Sequence, residues 1–233
     1  YMTSWEVDEL IKISNTNRIY IRGIRQDLLL EDMLADDAIR IKYSSKYAGS
    51  SNYWKNSIGM NKALKRLKIY DKKQEEEKAF LQWVNADNSR KEKYGEALNL
   101  IQKAVEGRKE YSHVSQYISE ALLRGTELMY FASGAERYKD ALDSKNPEEL
   151  AKTVEKIKQG ARSFYKNYNA PTDQKVAKAM FKIFAQNVDK KYHPAIFNTI
   201  ETKYKNDYVK FIDDMYSKSV FTDSTKLWAF LEK

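Results

Sequence analysis

Only 3 prolines and 8 glycines punctuate 233 residues, where an average chain of this length carries about 12 and 16. Both residues interrupt regular structure, so their scarcity confines the chain to long elements joined by short connections. The apolar spacing shows which element. Ala97, Leu98, Ile101, Ala104 and Val105 fall at i, i+3, i+4 and i+7, one stripe of an α-helix. Val176, Met180, Ile183, Phe184 and Val188 repeat the pattern, as do Ile118, Ala121, Leu122, Gly125, Leu128 and Met129. Each stripe has to be buried against another helix, so the spacing predicts an all-α, multi-helix bundle.

The breaks place about eight helices, at roughly 5–15, 25–46, 50–68, 73–87, 90–132, 147–167, 173–190 and 195–231. The long 90–132 segment is expected to split near Gly107 and to stop at Gly134, and the last segment falls in two pieces. Thr3-x-x-Glu6 reads as a capping box. Asn146-Pro147-Glu148-Glu149 reads as an N-cap, a first-turn proline and carboxylates favouring the helix dipole. Two segments alternate like short strands. For Arg18–Arg22 helix and strand are evenly balanced, whereas Ile39–Tyr43 reads better as helix, since two isolated strands make only a marginal hairpin.

The size permits a sizeable core, and 42% apolar with 32% charged residues is neither a disordered nor a membrane composition. No apolar run approaches the roughly 18 residues of a spanning helix, so no membrane contact is expected. Without cysteine there are no disulfides and no thiolate nucleophiles or ligands. The net charge of +8 invites a nucleic-acid reading, but the 41 Lys and Arg are interleaved with 33 Asp and Glu. Even the basic run Lys62–Lys68 is followed at once by Glu75-Glu76-Glu77, as expected of solvated helix faces rather than a nucleic-acid stripe.

Catalytic templates are missing: no Gly-x-Ser-x-Gly elbow, no His-Glu-x-x-His, no phosphate-binding glycine loop. His113 and His193 stand alone and are expected to be packed or surface residues, and neither a metal nor another cofactor is expected. The carboxylates Glu31, Asp32, Asp36 and Asp37 are expected to pair with Arg25 or Arg40, with Asp32 and Asp36 on one helix face. The unusual stretch is Tyr43–Asn56. Read as helix, it places Tyr43, Tyr47 and Trp54 on an aromatic face, and Ser45, Asn52, Asn56 and Gly59 on a polar one. Small residues at 48–51 permit a close backbone approach or a helix break. The default reading is a tightly packed junction. The functional alternative is a polar wall over a ligand, with Asn52 and Asn56 as paired donors and acceptors.

Three runs in this region carry a resemblance. Arg18-Ile19-Tyr20-Ile21-Arg22-Gly23-x-Arg25-Gln26, then Glu31-Asp32-Met33-Leu34-Ala35-Asp36-Asp37, then Lys46-Tyr47-Ala48-Gly49-Ser50-Ser51-Asn52-Tyr53-Trp54-Lys55-Asn56 are similar to bacterial dipeptidyl peptidases VII and XI. Those are serine exopeptidases with a chymotrypsin-like double β-barrel and a large inserted helical domain. The strongest match covers about residues 1–60; the remainder agrees in helical character and in the ending Ser219–Asp223. The resemblance implies that residues 1–233 are a single helical cap excised from such a peptidase. The catalytic triad would lie in the barrel, with none of it here. The cap would contribute an asparagine that helps hold the substrate's free amino terminus. By motif position that residue is Asn52, with Asn56 next if the match slips by a turn, and Tyr47, Trp54 and Lys55 as supporting neighbours. It further implies peptide substrates, the β-barrel as partner, a homodimeric parent, and a periplasmic or cell-surface location in a Gram-negative bacterium. A stand-alone helical adaptor is the competing reading, and a basic nucleic-acid binder a third.

Overall fold

The computed structural model describes residues 2–232. Among them there is no strand; the chain forms thirteen α-helices and five short π or 3-10 segments, which bears out the all-α class. The helices are α1 (Ser4–Glu9), α2 (Asn15–Ala35), α3 (Asp37–Arg66), α4 (Ile69–Asn85), α5 (Asn88–Tyr94), α6 (Ala97–Tyr117), α7 (Glu127–Ala132), α8 (Glu136–Asp143), α9 (Pro147–Lys166), α10 (Ala170–Asn187), α11 (Ile196–Tyr204), α12 (Tyr208–Lys218) and α13 (Ser224–Leu231). They divide into two compact units, Tyr1–Gly23 with Ser51–Tyr117, and Ile24–Ser50 with Ile118–Lys233. Two dividing points fall inside α2 and α3, so each of these helices lends residues to both units, and the third falls at the end of α6.

The first unit is built on buried Val7, Ile21, Val84, Val105, Val114 and Tyr117. Its entry is the expected capping box: Glu6 N donates to Thr3 Oγ1 at 3.4 Å, and Thr3 N donates to Glu6 Oε2 at 2.8 Å. Ser4 N and Oγ donate to the buried Glu77 carboxylate at 2.6 and 2.7 Å. Removing that carboxylate would strand two buried donors, at about 1–3 kcal/mol each. A π segment at Leu10–Ser14 separates α1 from α2. Near it the Ile11 carbonyl accepts from Thr16 Oγ1 at 2.7 Å and Asn61 Nδ2 at 3.1 Å.

The second unit centres on α10, which packs against α12 and a π segment at Ile118–Leu123. Its stripe of Val176, Met180, Ile183 and Phe184 is buried as the spacing predicts, with Val188 beyond it. Phe197 joins Phe181 and Phe184, with ring centroids 5.6 and 5.0 Å apart. Asn146 caps α9 as expected, accepting from Glu148 N and Glu149 N at 3.0 and 3.3 Å.

Several boundaries differ from expectation, each for a physical reason. Arg18–Arg22 is helical, with only Ile21 of its apolar residues fully buried. The small residues 48–51 do not break α3. The break comes instead at Asp36, whose carboxylate caps α3 by accepting from Ala38 N at 2.7 Å. Asp36 N still donates to the Asp32 carbonyl at 3.1 Å, so the two aspartates remain one turn apart, with the Asp36 carboxylate used as a cap. Gly107 lies within α6, where an added Cβ would meet nothing within 4 Å. The split falls at Gly95 and again at Gly125, where a Cβ would sit 2.1 Å from the Ala121 carbonyl oxygen. Near Gly134 the expected stop is present as a 3-10 turn after α7.

Candidate functional site

In the first unit, the α3 segment Ser51–Arg66 lies along α2. Trp54 is half-buried, its Nε1 donating to the Ile19 carbonyl at 3.0 Å, and its indole rests 3.6 Å from the position of a Cβ on Gly23. Ser57 is buried and accepts from Arg18 Nη1 at 3.3 Å. These contacts fix the rotation of α3 and turn the opposite face outward. Asn52 and Asn56, one turn apart, both stand on that exposed face, as does Lys55. Among the described residues neither carboxamide has a hydrogen-bond partner. Both carboxamides, with their donors and acceptors, are therefore open to solvent.

Tyr47 belongs to the second unit. It is half-buried, and its carbonyl accepts from Gln26 Nε2 at 3.2 Å, so it supports the α2–α3 pairing there. Of the proposed set, then, Asn52, Lys55 and Asn56 are accessible, while Trp54 positions the helix. Tyr53 was missed by sequence reasoning. It is 64% exposed beside Asn52, with the Arg22 guanidinium 5.3 Å from its ring centroid. The only signal available was that Arg22 and Tyr53 each sit in one of the quoted motifs.

Several other polar groups pair within the chain. Asn17 Nδ2 and His113 Nδ1 lie 3.0 Å apart, and His193 Nε2 lies 2.9 Å from the Val188 carbonyl, both rings packed against aromatic neighbours. Asp37 pairs with Arg40 at 3.0 Å as expected. Asp32 does not pair with Arg25; it accepts from Thr172 Oγ1 at 2.6 Å and Lys175 Nζ at 2.8 Å. Burial pushes its pKa up, but the Lys175 and Thr172 hydrogen bonds outweigh this and hold it below the usual carboxylate range. Arg25 donates instead to the Arg124 carbonyl and Ser50 Oγ.

The second unit also holds a buried carboxylate, Asp173, that sequence reasoning took only for part of a helix start. It accepts from Glu127 N at 2.7 Å, Leu128 N at 2.9 Å and Tyr216 Oη at 2.8 Å. Asp173 thereby caps the first turn of α7 from another helix, satisfying two donors that a helix start leaves open. Burial pushes its pKa up to about 6 against these favourable hydrogen bonds. It lines a small cavity of about 220 Å³ with Tyr43, Lys46 and Glu127.

The accessible polar pair Asn52 and Asn56 stands on an all-helical scaffold, and among the described residues no group of three or more His, Asp or Glu could hold a metal ion. The peptidase S46 family profile matches residues 1–233, and the chain belongs to that family. It is 40% identical over its whole length to dipeptidyl-peptidase 7 of Porphyromonas gingivalis, covering 31% of that protein. It is 31% identical to the Asp/Glu-specific dipeptidyl-peptidase of the same species, with 99% of this chain matched to 32% of the relative. The crystal structure of Porphyromonas endodontalis DPP11 superimposes with a TM-score of 0.82 at 27% identity, over 100% of this chain and 33% of that one. The chain thus spans about a third of the length of the curated relatives it matches.

Proposed function

We propose that these residues form the helical domain of a serine-type dipeptidyl peptidase, a hydrolase releasing dipeptides from peptide amino termini. The domain caps the cleft, and the triad lies in the β-barrel portion outside residues 1–233. Asn52 Oδ1 accepts from the substrate's protonated α-amino group, and Asn56 stands one turn away as a second polar contact. The names of the relatives support the activity. The observation that carries the site is the exposed, unpartnered pair of carboxamides on α3, held outward by the Trp54 and Ser57 contacts.

The chemistry suits an exopeptidase. An enzyme that removes two residues has to measure from the chain start, and an α-ammonium group, with a pKa of about 7.7–8.0, needs several acceptors when it leaves water. An asparagine supplies a neutral acceptor; a carboxylate from the barrel supplies the charge. Residues 1–233 lack that carboxylate and the opposite wall, so by themselves they bind amino termini negligibly and turn nothing over. The same reading makes the protein a homodimer in the periplasm or at the cell surface of a Gram-negative bacterium, with peptides as substrates and neither nucleic acid nor membrane as partner.

Steady-state kinetics of the longer protein carrying these residues test the site. Asn52→Ala is expected to lower kcat/KM on free-amino dipeptidyl substrates by about 10- to 100-fold, the worth of one hydrogen bond to a charged group. Unchanged kinetics in Asn52→Ala would remove the assignment.

A further inference from the structure

The face of α3 that carries Asn52 and Asn56 is aimed by the opposite face, and that inner face is polar. Within the first unit the buried residues of α3 are Ser51 and Ser57, so apolar packing specifies its rotation and register only weakly. Hydrogen bonds to α2 and to the π segment before it specify them instead. Trp54 Nε1 reaches the Ile19 carbonyl, and Arg18 reaches Ser57 Oγ. Asn61 closes the row: its Oδ1 accepts from Asn15 Nδ2 at 2.8 Å, and its Nδ2 donates to the Ile11 carbonyl at 3.1 Å.

At Leu10–Ser14 the helix widens to i→i+5 bonding, and two of its carbonyls accept from side chains of other helices. Ile11 takes Asn61, and Ser14 takes Gln116 Nε2 of α6 at 2.7 Å. Asn61 is thereby tied to a segment that a third helix also holds. Asn15 is buried, and its Oδ1 has no hydrogen-bond partner among the described residues. An apolar side chain there would avoid that desolvation cost, so the pair is a poor device for stability. It is a good device for register, because a helix that slips leaves buried polar partners unmatched.

Helical geometry carries this anchoring to the outer face. At about 100° per residue, Trp54, Ser57 and Asn61 lie within about 60° of one another around α3. On the same count Asn52 and Asn56 lie about 160° and 200° from Trp54. A side-chain tip about 5–6 Å from the helix axis moves about 3 Å when the helix turns by about 30°. That displacement takes a carboxamide out of hydrogen-bond reach.

We propose that Asn15 and Asn61 are positioning residues for the peptidase reaction: they lock the rotation and register of α3 against α2, and so hold Asn52 Oδ1 where it meets the substrate's α-ammonium group. This rests on the role given above to Asn52. Asn15 and Asn61 do not touch the substrate; both act through α3.

The test is a double-mutant cycle in the longer protein carrying these residues, with kcat/KM measured on a free-amino dipeptidyl substrate. The double variant Asn15→Leu, Asn61→Leu replaces the polar pair by an apolar one. Asn61→Leu alone changes only the half-exposed partner, so it decides the matter if circular dichroism shows that the double variant has lost its helical fold. Each is expected to lower kcat/KM by about three- to tenfold, the worth of a hydrogen bond. Neither is expected to have a further effect in an Asn52→Ala background, whereas a purely structural role would cost the same with or without Asn52. The inference is overturned by wild-type kcat/KM in the folded variants, or by losses that add in full to that of Asn52→Ala. Unchanged kinetics in Asn52→Ala alone would overturn the Asn52 role and the inference with it; an impaired Asn52→Ala with additive losses overturns the inference only.

Discussion

Single side chains fix more of this fold than their surface neighbours indicate, and Asp173 is the clearest case. Its carboxylate holds the start of α7 through two backbone donors while burial raises its pKa to about 6. In the unfolded chain it titrates near 4. Between those values the folded chain keeps a proton that the unfolded chain has released. The raised pKa therefore contributes stability that is complete below pH about 4 and is lost as pH rises through about 6. Urea unfolding across this range is expected to show wild type losing stability relative to Asp173→Asn with rising pH, although the variant is weaker overall for losing an acceptor. A difference between the two that stays constant with pH would show that Asp173 titrates alike in both states. Nothing in the sequence marked this residue, because its importance comes from α7, 46 positions away in the chain.

At the scale of elements, the scarcity of proline and glycine did predict long helices, and the caps at Thr3 and Asn146 were readable because their chemistry is local. What could not be read was which glycine matters. Gly107 and Gly125 both look like interruptions, yet only Gly125 meets a carbonyl oxygen at 2.1 Å once a Cβ is added. Gly125→Ala is expected to destabilise by about 2 kcal/mol or more, since backbone has to shift. Gly107→Ala is expected to stabilise by about 0.5–1 kcal/mol, as a helix-interior glycine becomes a good helix former. Denaturant midpoints check both signs. The same logic explains α3: Gly49 is unconstrained, so the run at 48–51 only lowers helix propensity, while a capping aspartate with no proline or glycine beside it starts the helix at Asp37. The π segments at Leu10–Ser14 and Ile118–Leu123 are single-turn widenings to i→i+5 bonding that the apolar spacing did not mark.

For the molecule as a whole, membership of the S46 family follows from a match along all 233 residues, and it gives meaning to the missing catalytic motifs. Under the proposed function, the part these residues play is the accessible polar face of Asn52 and Asn56. Asn52 and Asn56 were legible as candidates because a motif carried them, and their outward rotation follows from Trp54 and Ser57 on the inner side. The most direct measurement is an experimental structure of the longer protein with a dipeptide bound. The account predicts the α-ammonium nitrogen about 3 Å from Asn52 Oδ1; an ammonium group held by other residues, with Asn52 still facing solvent, would contradict it.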